Sequence, residues 1–178
     1  MATTSKAWVF KPPEIPLISG RSVFLAGSIE MGAAEDWQTV ITNRLSHLPI
    51  TILNPRRNDW DSSWKQSASD PQFREQVKWE LDMLDRCDVI AMYFDPNTKA
   101  PISLLELGLF AASRKGPKEG RSGEDTQERP SKLVVCCPDG FYRKGNVEIV
   151  CERYKVPMLQ NIDQLIHRVV ERLTIEEP

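Results

Sequence analysis

The chain has 178 residues, 40% hydrophobic and 27% charged, which suits one globular domain with a substantial core. Its 23 basic and 25 acidic residues leave a formal charge of -2 with no basic stripe interleaved with aromatics, which excludes a nucleic-acid polymer as the natural partner. No run nears the roughly 20 apolar residues of a bilayer span, and "MATTSKAWVFKPPEIP" has no apolar stretch of signal-peptide length, so a cytoplasmic protein without membrane contact is expected.

Residues 1–20 read as an N-terminal extension and 21–175 as a single domain. "SVFLAGS" is a short apolar run ending near a glycine, and "AAEDWQTVITNRLSHL" carries Trp37, Val40, Ile41 and Leu45 at helical spacing. "PITIL" predicts a second strand, followed by "NPRRNDWDSSWKQSASD", which is too long for a tight turn and reads as an active-site or lid loop. "PQFREQVKWELDMLDRC" predicts a helix with Phe73, Val77, Leu81 and Leu84 on one face. "DVIAMYF" then predicts a strand buried on both faces. "ISLLELGLFAASR" is the next helix, "KLVVCC" and "VPML" are two more strands around "GNVEIVCERY", and "NIDQLIHRVVERL" closes the chain with Asn161 as N-cap. The segment 114–131 has no hydrophobic residue and reads as a mobile insertion. Five strands alternating with helices imply an α/β fold with a doubly wound parallel sheet in three α/β/α layers.

In such folds ligands bind where the strands end and the loops leave for the helices. That edge collects "AGSIEMG", "NPRRNDWD", "DPNTKAPIS" and "CPDGFYRKGN". Glu106, one carboxylate in the apolar run "PISLLELGLFAA", admits two readings. In the first, "SLLE" is a capping box with Ser103 as N-cap, Glu106 reaching back to the backbone, and Ile102 and Leu107 as its hydrophobic staple. In the second, a first-turn carboxylate is kept ionised by the helix dipole, is poorly solvated by its neighbours, and serves as a nucleophile.

"GSIEMG" supplies Gly27, Ser28, Ile29 and Glu30 either as a ligand cradle or as an ordinary strand-to-helix turn. Asn54 and Asp61 come from the loop after the second strand, where Asp59, Trp60 and Trp64 either stack a base or pin the loop to the body. Trp79 stands beside Glu80, where it can both pack and stack a base. Cys87, Cys136, Cys137 and Cys151 lack paired spacing and read as free buried thiols. His47 and His167 read as structural, and neither a metal nor a cofactor is expected.

Taken together, "VFLAGSIEMGAAEDWQ", "LNPRRNDWD", "VKWELDMLDRCDVIAMYF", "PISLLELGLFA" and "CPDGFYRKGNVEIVCERY" resemble the nucleoside 2-deoxyribosyltransferase family, in its transferase-like branch. The resemblance implies a flavodoxin-like (Rossmann-like) sheet and a retaining two-step reaction. A glutamate, Glu106 on the matching E-L-G motif, attacks C1′ of a 2′-deoxynucleoside and is then relieved by a second base or water. Glu80 matches a helix aspartate that handles the sugar hydroxyls or the departing base. Ser103 falls in the same signature helix as Glu106, among the candidate substrate-binding positions. Asn146 resembles an asparagine lent to a neighbouring subunit, implying a homodimer or higher homo-oligomer.

Two positions depart from the family pattern. Phe24 stands where several relatives carry a tyrosine whose hydroxyl touches the nucleophile. Glu30 stands where 2′-deoxynucleoside 5′-monophosphate N-glycosidases carry an arginine, which favours an uncharged nucleoside unless Arg56 or Arg57 reverses the local charge. The rival expectations are a non-catalytic nucleoside- or nucleotide-binding module, and a hydrolase of a nucleotide such as NAD or a deoxynucleoside 5′-monophosphate.

Overall fold

The structure is a computed structural model that describes residues 6–29, 35–57, 59, 61, 63–113 and 131–174. Among these, the apolar runs form the strands β1 (Trp8–Phe10), β2 (Ser22–Gly27), β3 (Thr51–Leu53), β4 (Val89–Tyr93), β5 (Leu133–Cys136) and β6 (Met158–Leu159). Between and after them run the helices α1 (Trp37–Leu45), α2 (Pro71–Arg86), α3 (Pro101–Ala112), α4 (Lys144–Arg153) and α5 (Ile162–Thr174). All strand pairs are parallel, in the order β1-β3-β2-β4-β5-β6.

Because side chains alternate along a strand, each central strand feeds two cores. Phe24, Ala26, Ile90, Met92, Leu133 and Val135 face one side, where α2, α3 and α4 cover them with Trp79, Met83, Leu107, Phe110 and Val147. Val23, Leu25, Ala91, Tyr93 and Val134 face the other, under Trp37, Ile41 and Leu45 of α1 and Leu165, Ile166 and Val169 of α5. This is the expected three-layer flavodoxin-like architecture.

The sheet has six strands rather than five. The added strand is β1, three residues at the sheet edge with Trp8 and Val9 exposed, too short and too wet to show a buried-strand pattern. Through β1 the N-terminal extension is tied to the sheet. Ser19 and Thr51 also exchange hydrogen bonds, and the Trp79 indole N–H donates to the Glu14 carbonyl at 2.7 Å. The expected insertion at 114–131 lies, apart from Ser131, outside the described residues.

β2 and β4 are neighbours, yet their following helices go to opposite faces: α1 to one core, α3 to the other. That divergence opens a crevice at their carboxyl ends, which is where a doubly wound sheet binds its ligand. The two strands approach closely there. Gly27 has φ +140° and pairs with Tyr93, and a Cβ on it would lie 2.2 Å from the Tyr93 carbonyl oxygen. Only glycine fits.

Candidate active site

Each helix at the crevice starts for a local reason. Asp70 caps α2 by accepting from the Gln72 and Phe73 amides, and Pro71 at the first helical position has φ preset for a helix. α3 likewise begins with a proline, Pro101, after Ala100, which turns into the left-handed region at φ 43°. Starting at Pro101 puts Ser103 third and Glu106 sixth in the helix.

This start overturns the capping-box reading. Ala100 is the N-cap, it makes no side-chain cap, and the first turn holds no acidic residue. Ile102 is exposed and so forms no staple. The expectation that the helix dipole keeps Glu106 ionised also falls, because that influence fades beyond the first turn. Proline's fit to the first helical position moved the helix start two residues ahead of the serine that the sequence pattern favoured.

Glu106 is buried, with 7% of its surface exposed, and its carboxylate accepts no hydrogen bond from any described residue. Burial pushes its carboxyl up to about 8, and the nearby negative charge of Glu80 adds to the effect. Glu80 is likewise pushed up by burial, to about 7, while a hydrogen bond from Gln76 works in the opposite direction. Gln76, one helical turn before Glu80, donates from Nε2 to Glu80 Oε1 at 2.8 Å and to the Pro55 carbonyl at 3.1 Å. Both carboxyls are thus raised well above the usual carboxylate range by burial, and the charge of Glu80 acts on Glu106.

The strand ends beside this pair carry a closed polar network. Ser28 Oγ lies 2.7 Å from Thr98 Oγ1 and accepts from the Asp95 amide at 3.0 Å, while Thr98 Oγ1 donates to the Asp95 carbonyl at 2.9 Å. The Asp95 carboxylate accepts from both the amide and the side chain of Asn97. Trp37, fully buried against Tyr93, donates its indole N–H to the Ser28 carbonyl and fixes the loop that leaves β2.

A model of the family described as nucleoside 2-deoxyribosyltransferase like matches residues 20–117, more than half of the chain. The chain belongs to the nucleoside 2-deoxyribosyltransferase-like family. No curated protein matches it. The matched stretch of this deoxyribosyltransferase-like protein carries Gly27, Ser28, Gln76, Glu80, Asp95 and Glu106, and leaves Asn146 outside.

The other sequence-derived positions of this family member divide. Gly27, Ser28, Glu80, Ser103 and Glu106 gather around the crevice, with Ser103 buried one turn before Glu106 on α3 and Ile29 half-buried after β2. Asn54 is buried in the loop after β3, where its Oδ1 accepts from the Arg56 amide. Trp79 is packed against Phe24 with ring centroids 6.2 Å apart, and its N–H is engaged with Glu14. Asp61 is exposed and accepts from the Ser63 amide of its own loop. Asn146 is exposed on the first turn of α4. Glu30 and Trp60 lie outside the described residues.

Phe24 is buried in the core face below the carboxylates, so the phenol found in several relatives has no counterpart from β2. Neither arginine of the β3–α2 loop engages the carboxylates. Arg56 reaches α1, at Gln38 Oε1 and Asp36, while Arg57 pairs with Asp59 and covers the Trp64 ring. Gln76, Asp95, Thr98 and Trp37 were missed as site-building residues. The signals were present: Gln76 stands four residues before Glu80, and "DPN" after a strand is a turn signature. Among the described residues no cluster of His, Cys, Asp and Glu could hold a metal ion, and no helix is long and apolar enough to cross a membrane.

Proposed function

We propose that this protein cleaves the N-glycosidic bond of 2′-deoxynucleosides or related nucleosides, with Glu106 as nucleophile and Glu80 as its acid partner. The observation that carries the reading is the pair itself: two desolvated carboxylates at the ligand-binding edge of a family member, the charge of Glu80 acting on Glu106, and Glu106 with no donor or cation among the described residues. In the first step the C1′–N bond breaks as a Glu106 oxygen bonds to C1′, and the departing base takes the proton held by Glu80. In the second, a free base or water attacks C1′ and gives its proton to the Glu80 carboxylate as the bond between C1′ and Glu106 breaks and releases the Glu106 carboxylate.

The engagement of Arg56 with α1 and of Arg57 with Asp59 supports an uncharged nucleoside over a 5′-monophosphate. A homo-oligomer is supported by the exposed stripe Ile102, Leu105 and Leu109 on α3, which continues onto Ile149 of α4 near Asn146.

The test is chromatographic. The purified protein is incubated with 2′-deoxynucleosides and their 5′-monophosphates, with and without a second base, beside Glu106→Ala. Base release or exchange that vanishes in the variant is expected. A folded protein that releases no base from any substrate contradicts the reading. Binding without release identifies the second reading, a nucleoside-binding module, which is favoured by Phe24.

A further inference from the structure

The unusual residue of the site is Gln76. It is buried, with 4% of its surface exposed, and its orientation is fixed by an atom that never titrates. Its Nε2 faces the Pro55 carbonyl at 3.1 Å, which accepts and cannot donate, so the amide nitrogen must point there whatever the state of Glu80. The second N–H of that nitrogen then falls 2.8 Å from Glu80 Oε1. The opposite atom, Oε1, is buried without a hydrogen-bond partner. A donor locked onto one carboxylate favours the ionised form of that carboxylate.

Among the described residues, the surroundings supply no competing donor or charge. α3 contributes Glu106, β2 contributes Phe24, and Glu106 receives no donor from any described residue. The charge acting on Glu106 is that of Glu80. One member of the pair therefore has a fixed donor and the other has none.

We propose that Gln76 is a positioning residue that decides which carboxylate carries the pair's proton, holding Glu80 ionised and leaving the proton on Glu106 in the free protein. The free site is then set in the unproductive order, with the nucleophile neutral. Substrate must reverse it by drawing the proton from Glu106 to Glu80, through a donor offered to the Glu106 carboxylate or an acceptor facing the Glu80 carboxyl that then forms. The inference rests on Glu80 and Glu106 forming one site, and its test does not depend on turnover.

The experiment is carbon-13 NMR of the full chain labelled at the glutamate side-chain carboxyls, titrated between pH 4 and pH 10, with Glu80→Gln and Glu106→Gln assigning the two resonances. In the unmutated protein Glu80 is expected to lose its proton at lower pH than Glu106. Gln76→Met, which keeps the volume and removes the donor, should raise the Glu80 midpoint by roughly one to two pH units, because a hydrogen bond to a charged group has that scale. Gln76→Asn, too short to bridge Pro55 and Glu80, should do the same, so misfolding of one variant leaves the other decisive. A merely structural glutamine would not move that midpoint. The proposal is overturned if Glu106 loses its proton first, or if the Glu80 midpoint stays put in a folded Gln76 variant. Titrations in the expected order from a protein that releases no base would uphold this proposal and defeat the glycosidic reading.

Discussion

Two groups of buried polar side chains sit side by side at the carboxyl edge of the sheet, and they are built on opposite rules. Ser28, Asp95 and Thr98 are buried, and each is engaged by hydrogen bonds inside the loop network. Among the described residues, Glu106 is equally buried and has no donor, and Glu80 has a single one. A folded chain satisfies its buried polar groups almost everywhere, so an acceptor left open against a second negative charge marks a place kept for something else. The first group holds the strand ends together; the second is the pair to which the proposed function assigns the chemistry.

That contrast can be broken in order of expected effect. Glu106→Gln keeps the shape of the side chain and removes the nucleophile, so base release should fall by about 10³-fold or more while the protein stays folded. Product chromatography against circular dichroism checks both halves. Gly27→Ala attacks the structural side instead. Its methyl group would collide with the Tyr93 carbonyl at 2.2 Å in a backbone conformation that L side chains rarely adopt, so a stability loss of about 3 kcal/mol or more is expected in urea unfolding.

The pH dependence of stability sharpens the same comparison. Both carboxyls are raised from 4.5, Glu80 to about 7 and Glu106 to about 8, so the folded state binds protons that the unfolded state has already released. Their burial is fully favourable below pH 4.5, and that contribution is lost as pH rises through 7 to 8. Glu106→Gln should match the unmutated protein at pH 4 and be more stable at pH 9, by a difference on the order of a few kcal/mol. A difference independent of pH would contradict the buried pair. Thr98→Val, which breaks the satisfied network, should cost about 1 to 2 kcal/mol at every pH and leave the pH profile of base release unchanged.

Most of the fold was legible because its signal is periodic. Runs such as "DVIAMYF" and the spacing of Leu165, Ile166, Val169 and Leu173 set strands and helices, and Asn161 caps α5 by accepting from the Gln164 amide as its position predicts. β1 was not legible, since three edge residues with two exposed carry no such period. At the site, Glu106 and Glu80 stood out as carboxylates in suspicious company. What they lacked in partners was invisible, because an N-cap that falls three residues earlier, at Ala100 instead of Ser103, turns the reach-back carboxylate of a capping box into a buried acid without a partner among the described residues. Gln76 was legible only in part: its spacing from Glu80 was on view, but the carbonyl of Pro55 that fixes its orientation lies twenty-one residues away in sequence.

The most direct test of the central claim is intact-mass spectrometry of the protein quenched during incubation with 2′-deoxynucleosides, followed by peptide mapping. Addition of one deoxyribosyl unit on the peptide bearing Glu106, absent from Glu106→Gln, is the predicted result. A deoxyribosyl adduct on another residue, or base release that persists in Glu106→Gln, would contradict it.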